Sequence, residues 1–580
     1  MKKITLLLVL VCSMSMFATR YLVQTGAPGA ATWRAEGAGE VLVDLTVNGQ
    51  SLNAWLSATF PTSFPSGDEI WLVAGTYNIA AVYNIPANFT MYGGFAGTET
   101  ATSERVQGAN PWDFVNETII DGGNAVTIFG CASNRVALYD GLTLTKGYFS
   151  GNSGAMMLRL GVVVRNSKFI NNVATGQGGA VLMNGGGEIK NSYFSGNTAP
   201  MGGAVHVGGT GASLISGCLF ENNKSIAGSN MQGGAIRSQS SNAIIQNSTF
   251  INNEAAGNGS AIYTQVDVAV ANKIINSIFY GNKTKSALYL RGAAVYNSTV
   301  VNNDAGGVYL ATKDAQIYNS VFWADAKAKA TVSGVNVAGI EFKNNAAITI
   351  PGSDQWVISD NVQLDTLISE TNYPYFADPE NNDWQITYQS PLLNTGSGAI
   401  SGVPAVDFLS VSRPQGASYD IGAYELPYFN TTVTFNAGGT VNALTSGDVL
   451  SEPKGKPLAF TITPSGGQQV ASVKYNNVEV KEELVDGVYT APALTANATL
   501  VVEFSATTSV TEINSGFVCF ANGNSIEIRG MKAGEEINVY SITGAALFTQ
   551  KAVNNSMSVP VARGIYIVKA ANQVKKVVVD

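Results

Sequence analysis

Charged residues are scarce in this chain. Asp, Glu, Lys and Arg make up 13% of its 580 residues, against about 25% in typical globular domains. The formal net charge is −8 and no basic run interrupts it, so nucleic acid is not an expected partner. Long amphipathic helical patterns are also missing. Because Gly (62 residues), Asn, Val and Ile are frequent instead, we expect short strands joined by tight turns.

Histidine and cysteine are rare as well, which argues against a metal centre and a disulfide framework. The single histidine is His206, and the cysteines are Cys12, Cys131, Cys218 and Cys519, scattered along the chain. Metal sites and disulfide scaffolds need such residues in clusters or regular pairs. We therefore predict no cofactor, and we expect Cys131 and Cys218 to be small buried apolar residues.

One long apolar run is present, and it lies at the N-terminus. Lys2 and Lys3 precede a run from Ile4 to Phe17, which ends at Ala18. A charged start, a short apolar segment and a small residue are typical of a signal peptide, and the run is shorter than the about 20 residues that span a bilayer. We predict a signal peptide over residues 1–18, export from the cytoplasm and no transmembrane segment.

The most informative feature is a phrase that recurs along the middle of the chain: Asn-Ser-x-Phe, then two residues and an Asn. It starts at Asn166, Asn191, Asn247 and Asn276, with variants at Gly217, Asn297 and Asn319. The Phe-equivalent positions are 21 to 30 residues apart. A drifting period of this length indicates a stack of similar units, a solenoid, rather than a globule with one closed core.

Alignment of the repeats assigns each position to a face. Two places before each Asn-Ser lies a purely β-branched column that we expect inside: Val164, Ile189, Ile215, Ile245, Ile274, Val295 and Ile317. The next position is mostly polar, so the period is two and the segment is a strand. The Phe column returns to the core. The Asn that follows suits a tight bend, and Asn side chains stacked at one bend can bond from turn to turn.

A second phrase, Gly-Gly-Ala followed by Val or Ile, starts at Gly178, Gly202 and Gly233. Together the phrases resemble the pectate-lyase-like superfamily, and more closely the polymorphic outer-membrane protein repeat. This resemblance implies an all-β chain: a right-handed parallel β-helix solenoid over residues 19–427, followed by two small antiparallel β-sandwich domains. Leu52, Trp55 and Leu56 have helical spacing, so we expect a helix near residues 51–59 that caps the first turn.

The remaining chain predicts two further domains. Residues 428–506 alternate apolar and polar positions and resemble the immunoglobulin-like, repeat-type spacers of bacterial surface proteins. Residues 511–580 carry Val539–Gly544, Gly564–Lys569 and Lys575–Val579 in order, and they resemble the C-terminal sorting domain of the type IX secretion system. The resemblance implies passage across the outer membrane with the type IX machinery as partner, and a location on the cell surface or outside the cell.

A candidate binding site follows from the residues after the Gly-Gly-Ala phrase. Period two places two adjacent columns outside on one sheet. Stacked aromatic rings with polar groups beside them suit a flat glycan, although stacked tyrosines also simply stabilise parallel sheets. The predicted glycan-binding residues are His206, Arg237, Tyr263, Tyr289, Tyr309, Gln239, Gln265 and Arg291.

No catalytic residue is predicted, because the outward carboxylates show no stacked pair; Asp304 and Asp325 read as turn residues. We therefore expect a non-enzymatic, adhesin-like or glycan-binding rod whose partners are polysaccharides or surface glycans of a host or community. The alternative is a polysaccharide lyase or glycoside hydrolase on the same scaffold. A groove lined by carboxylates with a Lys or Arg would favour that enzyme.

Overall fold

The computed structural model describes residues 18–26, 29–47, 49–226, 232–240, 242–266, 272–325, 331–368, 370–507, 516–570 and 572–580. The predicted signal peptide, apart from Ala18, and residues 511–515 of the predicted sorting domain lie outside this description. The chain divides into two compact units. The first comprises Met1–Thr434, Leu444–Phe460 and Lys474–Val501, and the second comprises Phe435–Ala443, Thr461–Val473 and Val502–Asp580.

The first unit is built from coils that repeat one path. In one coil the chain forms strands Val162–Arg165, Lys168–Ile170, Val173–Ala174 and Val181–Asn184. Each strand pairs in parallel with its counterpart one coil later, for example Phe169 with Phe194. Four parallel sheets result, named sheets 1 to 4 in the order in which the chain visits them.

The strands of each sheet follow in spatial order. Sheet 1 contains Glu40–Asp44, Arg20–Gln24, Glu69–Val73, Phe89–Phe95, Ala137–Asp140, Val162–Arg165, Gly187–Lys190, Ser213–Ser216, Ala243–Gln246, Asn272–Ile275, Ala293–Tyr296, Gln316–Tyr318, Glu341–Lys343 and Val357–Ser359. Sheet 2 contains Gly75–Asn78, Thr118–Asp121, Leu142–Thr145, Lys168–Ile170, Tyr193–Ser195, Leu219–Glu221, Thr249–Ile251, Ile278–Tyr280, Thr299–Val301, Val321–Trp323, Ala346–Ala347 and Val362–Gln363.

Sheets 3 and 4 complete the coils. Sheet 3 contains Tyr148–Phe149, Val173–Ala174, Thr198–Ala199, Lys224–Ser225 and Glu254–Ala255. Sheet 4 contains Tyr83–Asn84, Phe129–Gly130, Met156–Leu158, Val181–Asn184, Val205–Gly208, Ile236–Ser238, Ile262–Thr264, Leu288–Leu290, Val308–Leu310 and Val332–Gly334. The two-residue corners between sheets 1 and 2 explain the recurring Asn: Asn166, Asn191 and Asn247 have φ near 50° there, a region that Asn tolerates better than most residues.

Apolar columns fill the interior of the coils. The β-branched column that begins at Val164 is fully buried. The rings of Phe169, Phe194, Phe220, Phe250 and Phe279 stack with centroids 4.6 to 4.9 Å apart and interplanar angles of 2 to 11°. The stacking distance equals the usual spacing of neighbouring strands, about 4.8 Å, so each ring lies directly over the next.

The predicted Asn ladder is confirmed, and it lies at the bend between sheets 2 and 3. Its members, Asn172, Asn197, Asn223, Asn253, Asn282 and Asn303, are buried. Each Nδ2 up to Asn282 donates to Oδ1 of the next Asn at 2.8 to 3.0 Å. The same Oδ1 atoms accept backbone N–H bonds, as from Asn253 to Asn282 at 3.0 Å. Left-handed backbone falls one position earlier, as at Asn171 and Asn222, so the ladder residues serve as connectors between coils.

The predicted helix is confirmed as Leu52–Thr59. Leu52, Trp55 and Leu56 are buried and join the cluster that fills the first coils. The helix therefore brings apolar side chains to the early end of the core, where stacking has no preceding coil to supply them.

Small antiparallel sheets follow the coils, which confirms the predicted fold class. In the first unit, residues 428–432 of strand Tyr428–Phe435 pair with Val449–Pro453, and Lys474 and Tyr475, at the end of strand Gln468–Tyr475, pair with Val478–Glu479. In the second unit, Gly439–Val441 pairs with the end of Ala459–Pro464. The further strands of the second unit are Val518–Asn522, Ser525–Arg529, Glu536–Ser541, Ala546–Lys551, Ser556–Pro560, Gly564–Ala570 and Gln573–Val579. The other elements are Phe376–Asp378, Asp383–Ile386, Val488–Thr490 and Ala498–Ala506, with 3₁₀ turns at Thr102–Glu104, Pro379–Asn381 and Lys481–Glu483.

Truncation of one ladder residue tests the role of the ladder. Asn253→Ala would leave the N–H groups of Asn223 and the carbonyl of Phe220 without their partners. Each unsatisfied buried polar group costs about 1–3 kcal/mol, so we expect a loss of about 3 kcal/mol or more in the free energy of unfolding. Chemical unfolding followed by circular dichroism measures it. Asn184→Ala, at a half-buried strand position, is the matched control, and equal unfolding midpoints for the two variants would contradict the role.

Candidate functional site

The predicted tyrosine column lies on sheet 4, and its rings stack. Tyr263 and Tyr289 have centroids 4.9 Å apart at 10°, and Tyr289 and Tyr309 have centroids 5.1 Å apart at 14°. In-register strands produce this stack, because Tyr263 pairs with Tyr289 and Tyr289 with Tyr309. The ring faces inside the stack cover one another and are not free to take a ligand.

Three of the predicted binding residues are almost fully buried. His206, Arg237 and Tyr263 are 1 to 3% exposed. The Arg237 guanidinium donates to Gln232 Oε1 at 2.9 Å and also to Gln265 Oε1. The structure does not support the prediction that these three residues contact a glycan directly, because other side chains cover that side of the sheet. Gln265, Arg291, Tyr289 and Tyr309 are half-buried and Gln239 is exposed, so these five remain candidates.

A second set of side chains lies on the outward face of sheet 2, and the chain covers both ends of that face. At the early end, residues 105–117 form a loop between two coils. Arg105 anchors the loop: it donates to the carbonyl of Gly93 at 2.9 Å, pairs with Asp140 at 3.3 Å and lies over the ring of Phe114. Thr143 is 5% exposed beneath this loop and donates to Glu117 at 2.8 Å.

At the late end, residues 364–426 pack on the same face. Ile278, Val301 and Trp323 point outward from sheet 2, yet they are buried against a cluster that includes Trp384 and Ile421. The Trp323 indole donates to the carbonyl of Asp365 at 2.9 Å, and the Ala423 amide donates to Thr299 at 3.0 Å. This later segment closes the face from strand Ile278–Tyr280 onward.

Between the two covers lies an open section of sheet 2, formed by strands Lys168–Ile170, Tyr193–Ser195, Leu219–Glu221 and Thr249–Ile251. The outward side chains of these strands are all half-buried. With strands spaced by about 4.8 Å, the open section is about 15 Å long. These half-buried side chains form a partly accessible surface that lies between the two covers.

Lys168 lies at the early end of the open section between two carboxylates. Its Nζ is 3.1 Å from Asp113 Oδ1 and 3.2 Å from Glu117 Oε1. Burial alone would lower the pKa of Lys168, but the hydrogen bond to Asp113 and the charge of Glu117 outweigh it and raise the pKa. The amine is thus held as a cation on a face that a polymer can reach.

Tyr193 lies one strand further along. Its hydroxyl donates to Glu221 Oε2 at 2.7 Å, and Trp112 of the loop stacks beside its ring with centroids 5.9 Å apart at 16°. Burial, together with the hydrogen bond to Glu221 and its negative charge, raises the pKa of the Tyr193 hydroxyl. The open section therefore combines aromatic surface, a fixed cation and a hydroxyl–carboxylate pair.

Sequence reasoning missed this cluster, although part of the signal was present. Lys168 and Tyr193 occupy the unassigned position of the Asn-Ser-x-Phe phrase, and Glu221 directly follows Phe220. Comparison of that position across coils would have singled out Lys168 and Tyr193. Trp112, Asp113 and Glu117 belong to a loop outside the repeat, and no periodicity points to them.

Among the described residues, no group of three His, Cys, Asp or Glu side chains is arranged as metal ligands. Over the same residues, every helix is too short or too polar to cross a bilayer.

Comparison with known proteins agrees with the coiled architecture. A family model described as "Right handed beta helix region" matches residues 106–322, so the parallel solenoid is a right-handed β-helix. No curated protein sequence matches the chain.

Several solved structures are similar to this chain at low sequence identity. Pectate lyase Pel9A is 14% identical with a TM-score of 0.42, covering 71% of this chain and 97% of its own. Alginate lyase AlyF is 14% identical with a TM-score of 0.33, covering 54% and 82%. A PL6 family polysaccharide lyase from Pseudopedobacter saltans is 10% identical with a TM-score of 0.30, covering 56% and 93%.

The predicted non-enzymatic rod is corrected by this finding. All three of these structures are polysaccharide lyases, and none of the three is described as an adhesin. At these identities and TM-scores the likeness does not carry their activity over to this chain. The activity must therefore be argued from this chain's own side chains, and the open section supplies the carboxylates and lysine that the alternative requires.

Burial of His206 generates a pH prediction. Burial, followed by the charge of Arg237, lowers the pKa of His206 to about 3 from 6.5. The unfolded chain therefore binds a proton at His206 before the folded chain does, and stability falls as the pH drops below about 6.5. Between about pH 7 and about pH 5, this group should cost about 2 kcal/mol of unfolding free energy.

Replacement of His206 by leucine isolates that effect. Leu182 already occupies the paired position one coil earlier, so His206→Leu continues an apolar column. Chemical unfolding of both proteins at the two pH values measures the difference, because all other titrating groups are shared. An equal loss of stability on acidification in both proteins would contradict the burial of a neutral His206.

Proposed function

We propose that the protein cleaves an acidic polysaccharide by β-elimination on the open section of sheet 2. The observation that carries the proposal is the placement of Lys168, between Asp113 and Glu117, next to the Tyr193–Glu221 pair on a face open to solvent. A uronate polymer presents one carboxylate on each acidic ring, and a lyase must offset that charge before it removes the proton beside it. Lys168 meets the first requirement once the uronate displaces Asp113 or Glu117 from its amine, and the adjacent Tyr193–Glu221 pair can transfer the proton.

Binding of an extended sugar chain suits the shape of the open section. The open section crosses four strands over about 15 Å, so several sugar units can lie along it between the 105–117 loop and the later cover. Trp112 stacks beside Tyr193 at one end, and the face of its ring that is turned away from Tyr193 can pack on the apolar face of a sugar. The hydroxyl groups of Thr249 and Ser195 lie on the same face for polar contacts.

Lys168 offsets the substrate's charge. Its raised pKa keeps the amine protonated near neutral pH, so it does not act as the base. A uronate carboxylate bound on the open section can take the place of Asp113 or Glu117 as the partner of the Lys168 amine. The carbanion-like charge that develops on this carboxylate in the transition state is then stabilised by an amine already in position.

The Tyr193–Glu221 pair transfers the proton. In the elimination, the C5–H and C4–O4 bonds break and a C4–C5 double bond forms. The Glu221 carboxylate accepts the proton from C5, while the Tyr193 hydroxyl donates its proton to the leaving O4. Glu221 then returns a proton to Tyr193 across their 2.7 Å hydrogen bond, so the net transfer is from C5 to O4 and no water is consumed. A hydrolase would consume water and leave no double bond.

Lys168→Met tests this function against a matched substitution. We expect wild-type protein to release unsaturated oligosaccharides, detected by ultraviolet absorbance, from polygalacturonate or alginate but not from neutral glucans. Loss of the charge-offsetting amine should lower kcat/KM by at least about a hundredfold. Lys224→Met is the control, because Lys224 is also ion-paired, with Glu254 at 2.9 Å, but lies on sheet 3.

Two results would count against the proposal. Equal activity of Lys168→Met and Lys224→Met would remove the open section from the mechanism. Reducing ends without an unsaturated product would identify a hydrolase in place of a lyase.

We also propose that the protein works outside the cytoplasm. Support comes from the signal-peptide pattern at residues 1–18 and from the three ordered motifs in residues 511–580 that resemble a type IX sorting domain. Fractionation of cells that carry the full chain, or a chain ending at residue 510, tests it. The full chain should reach the cell surface or medium and the shortened chain should stay in the periplasm; equal distributions would refute the sorting role.

A further inference from the structure

The tyrosine stack on sheet 4 ends at a small residue. Tyr263, Tyr289 and Tyr309 stack in register, and the next residue in the same register is Ser333, which is exposed. Ring faces within the stack cover each other, but Ser333 has no ring to cover the outer face of Tyr309. The stack of three rings therefore ends at Tyr309.

A cleft lies along one flank of the tyrosine stack and includes Tyr309 and Ser333 in its lining. It has a volume of about 530 Å³, within the range of small-molecule sites, about 300–1,000 Å³. Besides one flank of the stack, its walls carry mostly hydroxyl, amide and amine groups. The lining residues are Asn258, Thr284, Lys285, Ser286, Tyr289, Ala305, Tyr309, Thr331 and Ser333.

We propose that this cleft is a second, non-catalytic binding site for the acidic polysaccharide, in which one uronate ring lies on the free face of Tyr309. The proposal rests on the proposed function for the identity of the polymer. A pyranose has an apolar face of about the size of an aromatic ring, and it would take the place that a further tyrosine would occupy in the stack. The surrounding hydroxyl groups match the sugar's hydroxyls.

The charge of the cleft favours an acidic sugar over a neutral one. Lys285 is exposed and, among the described residues, forms no ion pair. The residues of the cleft include no Asp or Glu. A uronate ring on Tyr309 can direct its carboxylate to this amine, and no negative group of the cleft would oppose it.

The position of the cleft defines its role. It lies on sheet 4, several coils after the coils that carry Lys168 and Tyr193 on sheet 2, so one short oligosaccharide cannot occupy both faces. A long polymer bound in the cleft would stay near the enzyme between cleavage events, because tethering raises its effective concentration at the open section. The cleft should therefore lower KM for polymers and leave kcat on short oligosaccharides unchanged.

The experiment measures polysaccharide binding in the Lys168→Met background, in which turnover and the sheet 2 cation are both removed. Affinity electrophoresis in gels containing polygalacturonate or alginate compares the parent with Tyr309→Ala and with Ser333→Tyr. Tyr309→Ala removes the platform. Ser333→Tyr adds the missing ring and fills the space while it extends the stack. Both should weaken binding at least tenfold, and Ser333→Tyr should unfold no more easily than the parent.

Ser216→Tyr is the matched control, because it adds the same ring to a half-buried outward position on sheet 1, and it should bind like the parent. Unchanged binding by Ser333→Tyr would overturn the proposal, and so would a parent that does not bind a polymer that the wild type cleaves. A third result would support the cleft and refute the lyase function: the Ser333→Tyr substitution weakens binding, but the wild-type protein does not cleave the polymer. The two proposals can therefore fail separately.

Discussion

In-register stacking of coils at about 4.8 Å is the constraint on which the rest of this structure depends. It lets the same residue type recur over itself, so that Phe169 lies over Phe194 and Asn223 over Asn253. The buried Asn ladder satisfies polar groups at a bend where backbone would otherwise be left without partners. Each coil is held by its neighbours rather than by a common centre, and the interior can vary little.

Side chains that differ in chemistry from coil to coil are therefore confined to outward positions and to segments that leave the coil, such as the 105–117 loop. The outward face of sheet 2 would be a uniform surface if the coils were bare. The 105–117 loop and the later segment that contains Trp384 and Ile421 cover parts of it, and the section with Lys168, Tyr193 and Glu221 lies between them. The loop also brings Asp113 to Lys168 and Trp112 to Tyr193. The site thus combines two outward strand positions with a loop that departs from the repeat.

Most of the fold could be predicted from the sequence, because inward columns such as Val164–Ile189 recur with fixed spacing and hydrophobic burial enforces them. The Asn ladder followed from the Asn that recurs in the repeated phrase, and the capping helix followed from the helical spacing of Leu52, Trp55 and Leu56. The candidate site could not, since Asp113 and Glu117 approach Lys168 only through the folded loop. Burial of His206 and Arg237 was also missed: period two assigns a face, but it does not show that Gln232 and Gln265 cover that face. The proposed enzyme replaces the expected non-enzymatic, adhesin-like or glycan-binding rod.

A crystal structure of Tyr193→Phe, which lacks the proton donor but keeps the Lys168 amine, soaked with an acidic oligosaccharide from a polymer that the wild type cleaves, tests the central claim most directly. The claim predicts sugar rings along the open section of sheet 2, with one carboxylate within hydrogen-bond distance of the Lys168 amine, and with C5 of that ring facing Glu221 and O4 facing the ring at position 193. Sugar bound on another face, with the open section empty, would contradict it.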